Sequence, residues 1–261
     1  MACDTKCCYI GNGLVYIQRL PDFCPTTLTP NPYPLLPVGN VTELNLSFET
    51  TEETVPNTTN GSFGNYCSLT RIDQVNLQMN MTCFKTKNME LALAGQATEV
   101  TAGSVVDEVH IVQQECEFVI TDHMIDQTGT ITVTGTGGAP VYTVGTDYIV
   151  RPDGIYIPEG SAIATVPGTD IEISYDYIDY EDISIASTGF SDYLVHVSGI
   201  NAATNTYFSE TFYRVKFGPG DTIALINTTF GSLNVTGELL PDECHLDSLG
   251  NPKRASFKFP L

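Results

Sequence analysis

Two runs of strict alternation constrain this chain more than any other feature of it. Between 43 and 49, Glu43, Asn45, Ser47 and Glu49 alternate with Leu44, Leu46 and Phe48. Between 74 and 83, Gln74, Asn76, Gln78, Asn80 and Thr82 alternate with Val75, Leu77, Met79, Met81 and Cys83. Successive side chains of a pleated strand leave opposite faces, so a repeat of two predicts two half-buried β-strands, each with an apolar and a polar side. Thr50 to Leu69 between them is polar and carries Asn60-Gly61 and Gly64-Asn65. The pair therefore reads as an antiparallel hairpin with a long mobile loop.

Alternation recurs at 109–120, 130–135, 141–150, 155–166, 171–178, 193–198, 207–217, 222–226 and 232–237, punctuated by Gly, Pro, Asn and Asp. Many short strands at this spacing predict an all-β sandwich or barrel. A single short helix is expected over 88–94, with Asn88 as its N-cap and Gly95 as its stop. Residues 20–37 hold six prolines in eighteen positions, which predicts an extended, polyproline-like arm running to 37.

Composition limits what such a chain can do. Its 261 residues carry 31 Asp+Glu against 11 Lys+Arg, a formal charge of −20. At 42% hydrophobic residues it can bury a core, which excludes wholesale disorder. The acidity excludes a basic face for gripping DNA or anionic membranes. No run approaches the ~18 apolar residues of a membrane helix, and the N-terminus lacks a secretory pattern, so the expectation is a cytosolic product. Seven Asn-X-Ser/Thr sequons are then read as chance products of an Asn- and Thr-rich chain.

Eight cysteines stand at 3, 7, 8, 24, 67, 83, 116 and 244, with neither a Cys-x-x-Cys pair nor zinc-finger histidines. Reduced thiols are the default in the cytosol. Cys83 and Cys116 lie in apolar stretches and are read as small buried hydrophobes. Cys3, Cys7, Cys8 and Cys24 crowd the leader and are the candidates for an inter-subunit cross-link or a metal.

Catalytic signatures are weak. His110, His123, His196 and His245 are scattered, and no nucleophile elbow, Walker loop or His-Glu-x-x-His occurs. Thr134-Gly-Thr-Gly-Gly138 reads as a tight turn, Cys244-His245 lacks a third group for a catalytic dyad, and Asp176, Asp179, Glu181 and Asp182 read as a solvated edge rather than a calcium loop. The expectation is a non-enzyme with no catalytic residue, no bound metal and no cofactor.

The order of elements resembles the major tail tube proteins of long-tailed, non-contractile (siphovirus-type) bacteriophages. A leader ends in Val38-Gly39-Asn40-Val41 and runs into Thr42-Glu-Leu-Asn-Leu-Ser-Phe-Glu; after the loop come Arg71-Ile-Asp-Gln-Val-Asn-Leu-Gln-Met and the helix Asn88-Met-Glu-Leu-Ala-Leu-Ala-Gly. Tyr142-Thr-Val-Gly-Thr-Asp-Tyr-Ile-Val is similar to a strand of an inserted β-module in several such proteins. Glu210-Thr-Phe-Tyr-Arg-Val-Lys-Phe, Ile223-Ala-Leu-Ile and Leu233-Asn-Val-Thr-Gly-Glu-Leu-Leu close the match, which covers roughly residues 38–240.

The resemblance implies a β-sandwich tail-tube fold over 38–117 and 183–245, an inserted β-rich module at 118–182, and extended arms at 1–37 and 246–261. It implies a long hairpin given to an inter-subunit β-barrel, with homo-hexameric rings stacked into a hollow tube of the virion tail, assembled in the host bacterial cytoplasm. Glu43, Asn45, Ser47, Glu49, Gln74, Asn76, Gln78, Asn80 and Thr82 would line the lumen. Thr54, Asn57, Asn60, Gly61 and Gly64 would lie in a loop between rings. The implied partners are further copies of the chain, the tape-measure, tail-terminator and distal tail proteins, and double-stranded DNA that passes through without specific binding. Duplex DNA carries a charge about every 1.7 Å, so a neutral-to-acidic lumen lets it slide. The alternative is a phage decoration or surface adhesion β-sandwich protein. A carbohydrate-binding version would favour exposed Trp, and the chain has none.

Overall fold

The computed structural model describes residues 8–26, 29–59, 63–187, 190–220 and 222–260. Its elements run β1 (Gly11–Arg19), β2 (Leu36–Gly39), β3 (Val41–Pro56), β4 (Asn65–Met81), α1 (Thr86–Leu93) and β5 (Gln96–Val100). Then come β6 (Gly103–Val112), β7 (Phe118–Ile120), β8 (Thr132–Gly135), β9 (Ile149–Arg151), β10 (Gly154–Tyr156), β11 (Thr169–Tyr177) and β12 (Tyr180–Ser184). The chain ends with β13 (Asp192–Asn201), β14 (Thr206–Phe217), β15 (Leu233–Leu239), β16 (Asp242–Leu246), β17 (Pro252–Lys253) and β18 (Ala255–Lys258). The fold is all-β with one short helix, and its strand pairs are antiparallel.

The chain divides into two compact units, one of Met1–Ala97 with Ile183–Leu261 and one of Thr98–Asp182. The first, unit 1, is built on the sheet β2-β1-β13-β14-β15-β4-β3, to which β18 adds by pairing with β14. Period-two apolar residues of these strands converge in one core that includes Val15, Val38, Leu77, Met79, Val195, Phe212, Val215 and Val235, closed by Leu91 and Ala92 of α1. Unit 2 carries the sheets β7-β10-β9 and β6-β11-β8 around a separate core of Ile155, Ile157, Ile163, Ile171, Ile173, Tyr148 and Val133, all 2% exposed or less. The chain passes between the units inside β5 and β12, two strands that pair with each other.

Several sequence expectations change. Thr50–Pro56 and Asn65–Asp73 are not a loop but the outer halves of β3 and β4, in register from Thr50↔Ile72 to Pro56↔Asn65. Both faces of this outer ribbon are exposed, so the polar-apolar contrast that marks a half-buried strand disappears, although its Thr and Val content still favours extended chain. The leader is not an arm throughout. Gly11–Arg19 is an interior strand between β2 and β13, with Val15 and Ile17 4% and 8% exposed. Likewise the C-terminal stretch is held to the sheet, through Ala255↔Phe212 and Phe257↔Glu210. Strand β6, expected with the sandwich core, pairs with β11 of unit 2. Most of 141–150 and 222–226 is irregular.

The helix begins at Thr86, with Lys85 at the N-cap, and ends on Ala94 in the left-handed conformation. Asn88 lies inside it, 2% exposed, and its amide donates to the carbonyls of Val38 (2.7 Å) and Cys83 (2.8 Å), pinning the helix to the ends of β2 and β4. Gly39 turns the chain between β2 and β3 at φ +91°, where a Cβ would meet the Cys83 sulfur at 2.5 Å. Cys83 is only half-buried, and Cys116 is exposed in a turn, so neither is the buried hydrophobe its neighbours suggested.

Candidate functional site

The alternating residues of β3 and β4 come together on one sheet face because the register pairs them directly: Glu43↔Asn80, Asn45↔Gln78, Ser47↔Asn76 and Glu49↔Gln74. Directly opposed residues share a face. A third strand extends the rows, since β15 sets Asn234 beside Asn80, Thr236 beside Gln78 and Glu238 beside Asn76. The alternation of 232–237 carries the signal for Asn234 and Thr236, while Glu238 lies one residue beyond it. Thr82 lies one residue past β4, where its amide donates to the Asn40 carbonyl at 3.0 Å and its hydroxyl accepts from the Asn40 amide at 2.9 Å.

The face is polar and held by its own amides. Asn76 donates to Glu49 at 3.0 Å and Gln78 to Asn234 Oδ1 at 3.3 Å. Asn80 Oδ1 is buried with no hydrogen-bond partner among the described residues. The opposite side of the same strands holds Leu77, Met79 and Met81, each fully buried. Glu43, Glu49 and Glu238 give the face negative charge.

Beyond Glu49 and Gln74 the hairpin continues as a two-stranded ribbon, because β15 pairs with β4 only from Asn76 to Met81. Its apolar side chains remain in water: Val55 is 53% exposed, Leu69 64% and Ile72 53%. Arg71 is ion-paired with Asp73 at 3.0 Å, and the Thr51 hydroxyl also donates to Asp73. That hydroxyl, followed by the guanidinium, holds the Asp73 carboxyl below the usual carboxylate range. Thr54 lies within β3 opposite Ser68. Asn57 follows the strand, its amide donating to the Gly64 carbonyl at 2.8 Å. Gly64 has φ +137° and open space around it. Asn60 and Gly61, assigned to the same loop, lie outside the described residues.

Cys24 is joined to Cys244 by a disulfide across 220 residues of sequence, which takes it out of the inter-subunit and metal candidates. Cys8 is a free, exposed thiol, and Cys3 and Cys7 lie outside the described residues. The disulfide borders a cavity of about 870 Å³ lined by Arg19, Asp192, Arg214, Lys216 and Asp242 among others. Arg214 pairs with Asp192 at 2.6 Å, and His245 pairs with Asp242 at 2.6 Å while stacking on Tyr213. With the Cys244 sulfur bonded, the Cys244-His245 pair offers no thiol nucleophile.

In unit 2 the glycine-rich turn wraps a carboxylate of its own chain. Gly137 and Gly138 amides donate to the two oxygens of Glu172 at 3.1 and 3.2 Å. Asp176, Asp179, Glu181 and Asp182 lie exposed at and beyond the end of β11. Asp179 accepts the Ala102 amide at 2.6 Å. His110 pairs with Glu108 at 2.5 Å, and His123 stacks on Tyr177 and shares a hydrogen bond with the Tyr180 hydroxyl at 2.8 Å. His196 is bonded to the Thr211 hydroxyl at 2.9 Å. No helix among the described residues is long and apolar enough to cross a membrane.

Fold and face together define an all-β protein of two units, in which one unit extends a long hairpin whose inner half carries a polar face. The chain belongs to the family described as Protein of unknown function UCP028589, which matches residues 8–250. No curated protein matches it.

Proposed function

We propose that this chain is a structural subunit of a phage tail tube, and that the polar face of β3 and β4, extended by β15, lines the channel of a homo-oligomeric ring. The observation that carries this reading is the hairpin. It holds the alternating polar residues on one face and then runs on as a ribbon whose outer edges and apolar side chains have no partner among the described residues. An open β edge is an aggregation hazard that closure with neighbouring copies removes. A channel of amides and carboxylates repels phosphate and offers no Lys or Arg to displace its counterions, so duplex DNA slides. In this reading the turn between β3 and β4 touches the next ring, and tape-measure, terminator and distal tail proteins meet the tube ends.

The second reading, a decoration or surface adhesion protein, draws on unit 2, which has its own core and could act apart from any tube. Negative-stain electron microscopy of the concentrated protein separates them. The tube reading expects rings or hollow tubes of uniform width; particles that stay monomeric at every concentration favour the second. Replacing Gln74, Asn76 and Gln78 together with Lys should leave tubes intact and impair DNA ejection, and unchanged infectivity would remove the lumenal assignment.

A further inference from the structure

Glu210 interrupts an apolar row. On β14 it stands opposite Val197 of β13 and Phe257 of β18, and Val197 stands opposite Val15 of β1. Val15 and Val197 are buried, as are Phe208 and Phe212, the residues two places away on β14 that share its side of the sheet. Burial pushes the Glu210 carboxyl above the usual carboxylate range, and no hydrogen bond or cation among the described residues draws it back.

Aromatic rings pack on its neighbours along β14. Tyr9 packs on Phe208 at 5.6 Å between centroids, Phe259 on Phe208 at 6.3 Å, and Phe257 meets Phe212 edge-on at 5.8 Å. Tyr9, Phe257 and Phe259 nevertheless remain about half exposed. Tyr9 reaches this side of β14 through Phe208, two places from Glu210, and its phenol is pushed up, first by burial and then by the Glu210 charge.

A carboxylate drawn partly out of water is unfavourable unless a cation or donors meet it. Aromatic faces beside it attract the same cations. Breaks in a hydrophobic pattern of this kind concentrate at functional positions. We propose that Glu210, with the rings of Tyr9, Phe257 and Phe259, is a socket for a lysine or arginine of a second copy of this chain. Charge favours that occupant: Lys85, Lys216, Arg254 and Lys258 form no ion pair among the described residues, so each copy has cations to give. A free amine would meet the carboxylate but would leave the rings in water, whereas a second copy covers both. The inference rests on the self-assembly reading and names one contact within it.

The test is the full chain in sedimentation velocity across a concentration series, with wild type, Glu210→Gln and Glu210→Asp compared. Glu210→Gln should raise the concentration for half-assembly roughly 30-fold or more, the usual result of truncating one partner of a buried charge pair. Its monomer should melt no lower than wild type. Glu210→Asp, which keeps the charge, should assemble within about threefold of wild type, well short of that loss. If Glu210→Gln does not fold, Tyr9→Ala strips a ring without touching the carboxylate: weakened assembly supports the socket, and unchanged assembly overturns it. A wild type that assembles alongside an equally competent Glu210→Gln overturns the socket alone. A wild type that remains monomeric removes the self-assembly reading and the socket with it.

Discussion

Units 1 and 2 each place a carboxylate on the inner side of a sheet, and they treat it in opposite ways. In unit 2, Glu108 stands opposite buried Ile173 and is fully engaged: Tyr175 donates to it at 2.5 Å, His110 at 2.5 Å and the Asp122 amide at 3.0 Å. Burial alone would raise its carboxyl, but these bonds outweigh that and hold it below the usual range. The Tyr175 phenol is pushed up in return, by burial and by the carboxylate it serves. In unit 1, Glu210 is raised and has no partner among the described residues. Charge follows the same contrast. Unit 2 carries sixteen carboxylates and one cation, Arg151, while the other ten Lys and Arg lie in unit 1. Unit 2 meets its half-buried carboxylate with donors of its own, whereas unit 1 leaves Glu210 with none among the described residues.

If the two cores are independent, damage should stay where it is made. Leu77→Ala should lower only the calorimetric transition of unit 1 and Ile173→Ala only that of unit 2, each by roughly 2–5 kcal/mol. A single transition shifted by both would break the division. The next effect in size is the disulfide. Cys24→Ser opens a cross-link over 220 residues and should cost unit 1 roughly 2–4 kcal/mol in urea unfolding, with reductant producing the same shift in wild type.

The smallest effects are the most diagnostic, because they differ in sign. Glu108 is depressed below its ordinary value of 4.5, so the stability it gives unit 2 is present above that value and is lost as pH falls through the folded value. Glu108→Gln should therefore lower the unit 2 midpoint at pH 7 and make little difference in strong acid. Glu210 is raised, so unit 1 of the monomer loses stability as pH rises from 4.5 through the folded value. Glu210→Gln should leave the monomer at pH 7 equal or more stable. Thermal melts across pH that moved both variants in the same direction would erase the distinction.

The inner hairpin was legible because burial on one side writes a period of two into the sequence, and the rows Glu43–Asn80 and Asn45–Gln78 follow from it once register is known. The outer hairpin was not, since Thr51, Glu52, Glu53 and Thr54 are wet on both sides and offer no contrast to read. Strand β1 was hidden by its Pro-rich sequel, although Leu14-Val-Tyr-Ile17 carries strand-forming residues. Asn88 looked like a cap because its type favours caps, whereas tertiary carbonyls at Val38 and Cys83 claimed its amide. The Cys24–Cys244 bond and the Glu210 site depend on residues 220 and 201 positions apart in sequence, and no local pattern reports such meetings.

The paired strands β5 and β12 bring the beginning and the end of unit 2 side by side in the chain path. A segment whose two ends are neighbours can be removed, lengthened or replaced without rethreading the host sheet. Recombination could therefore trade this stretch as a cassette, and the same junction offers protein engineers a ready place to graft a foreign domain whose termini lie close together.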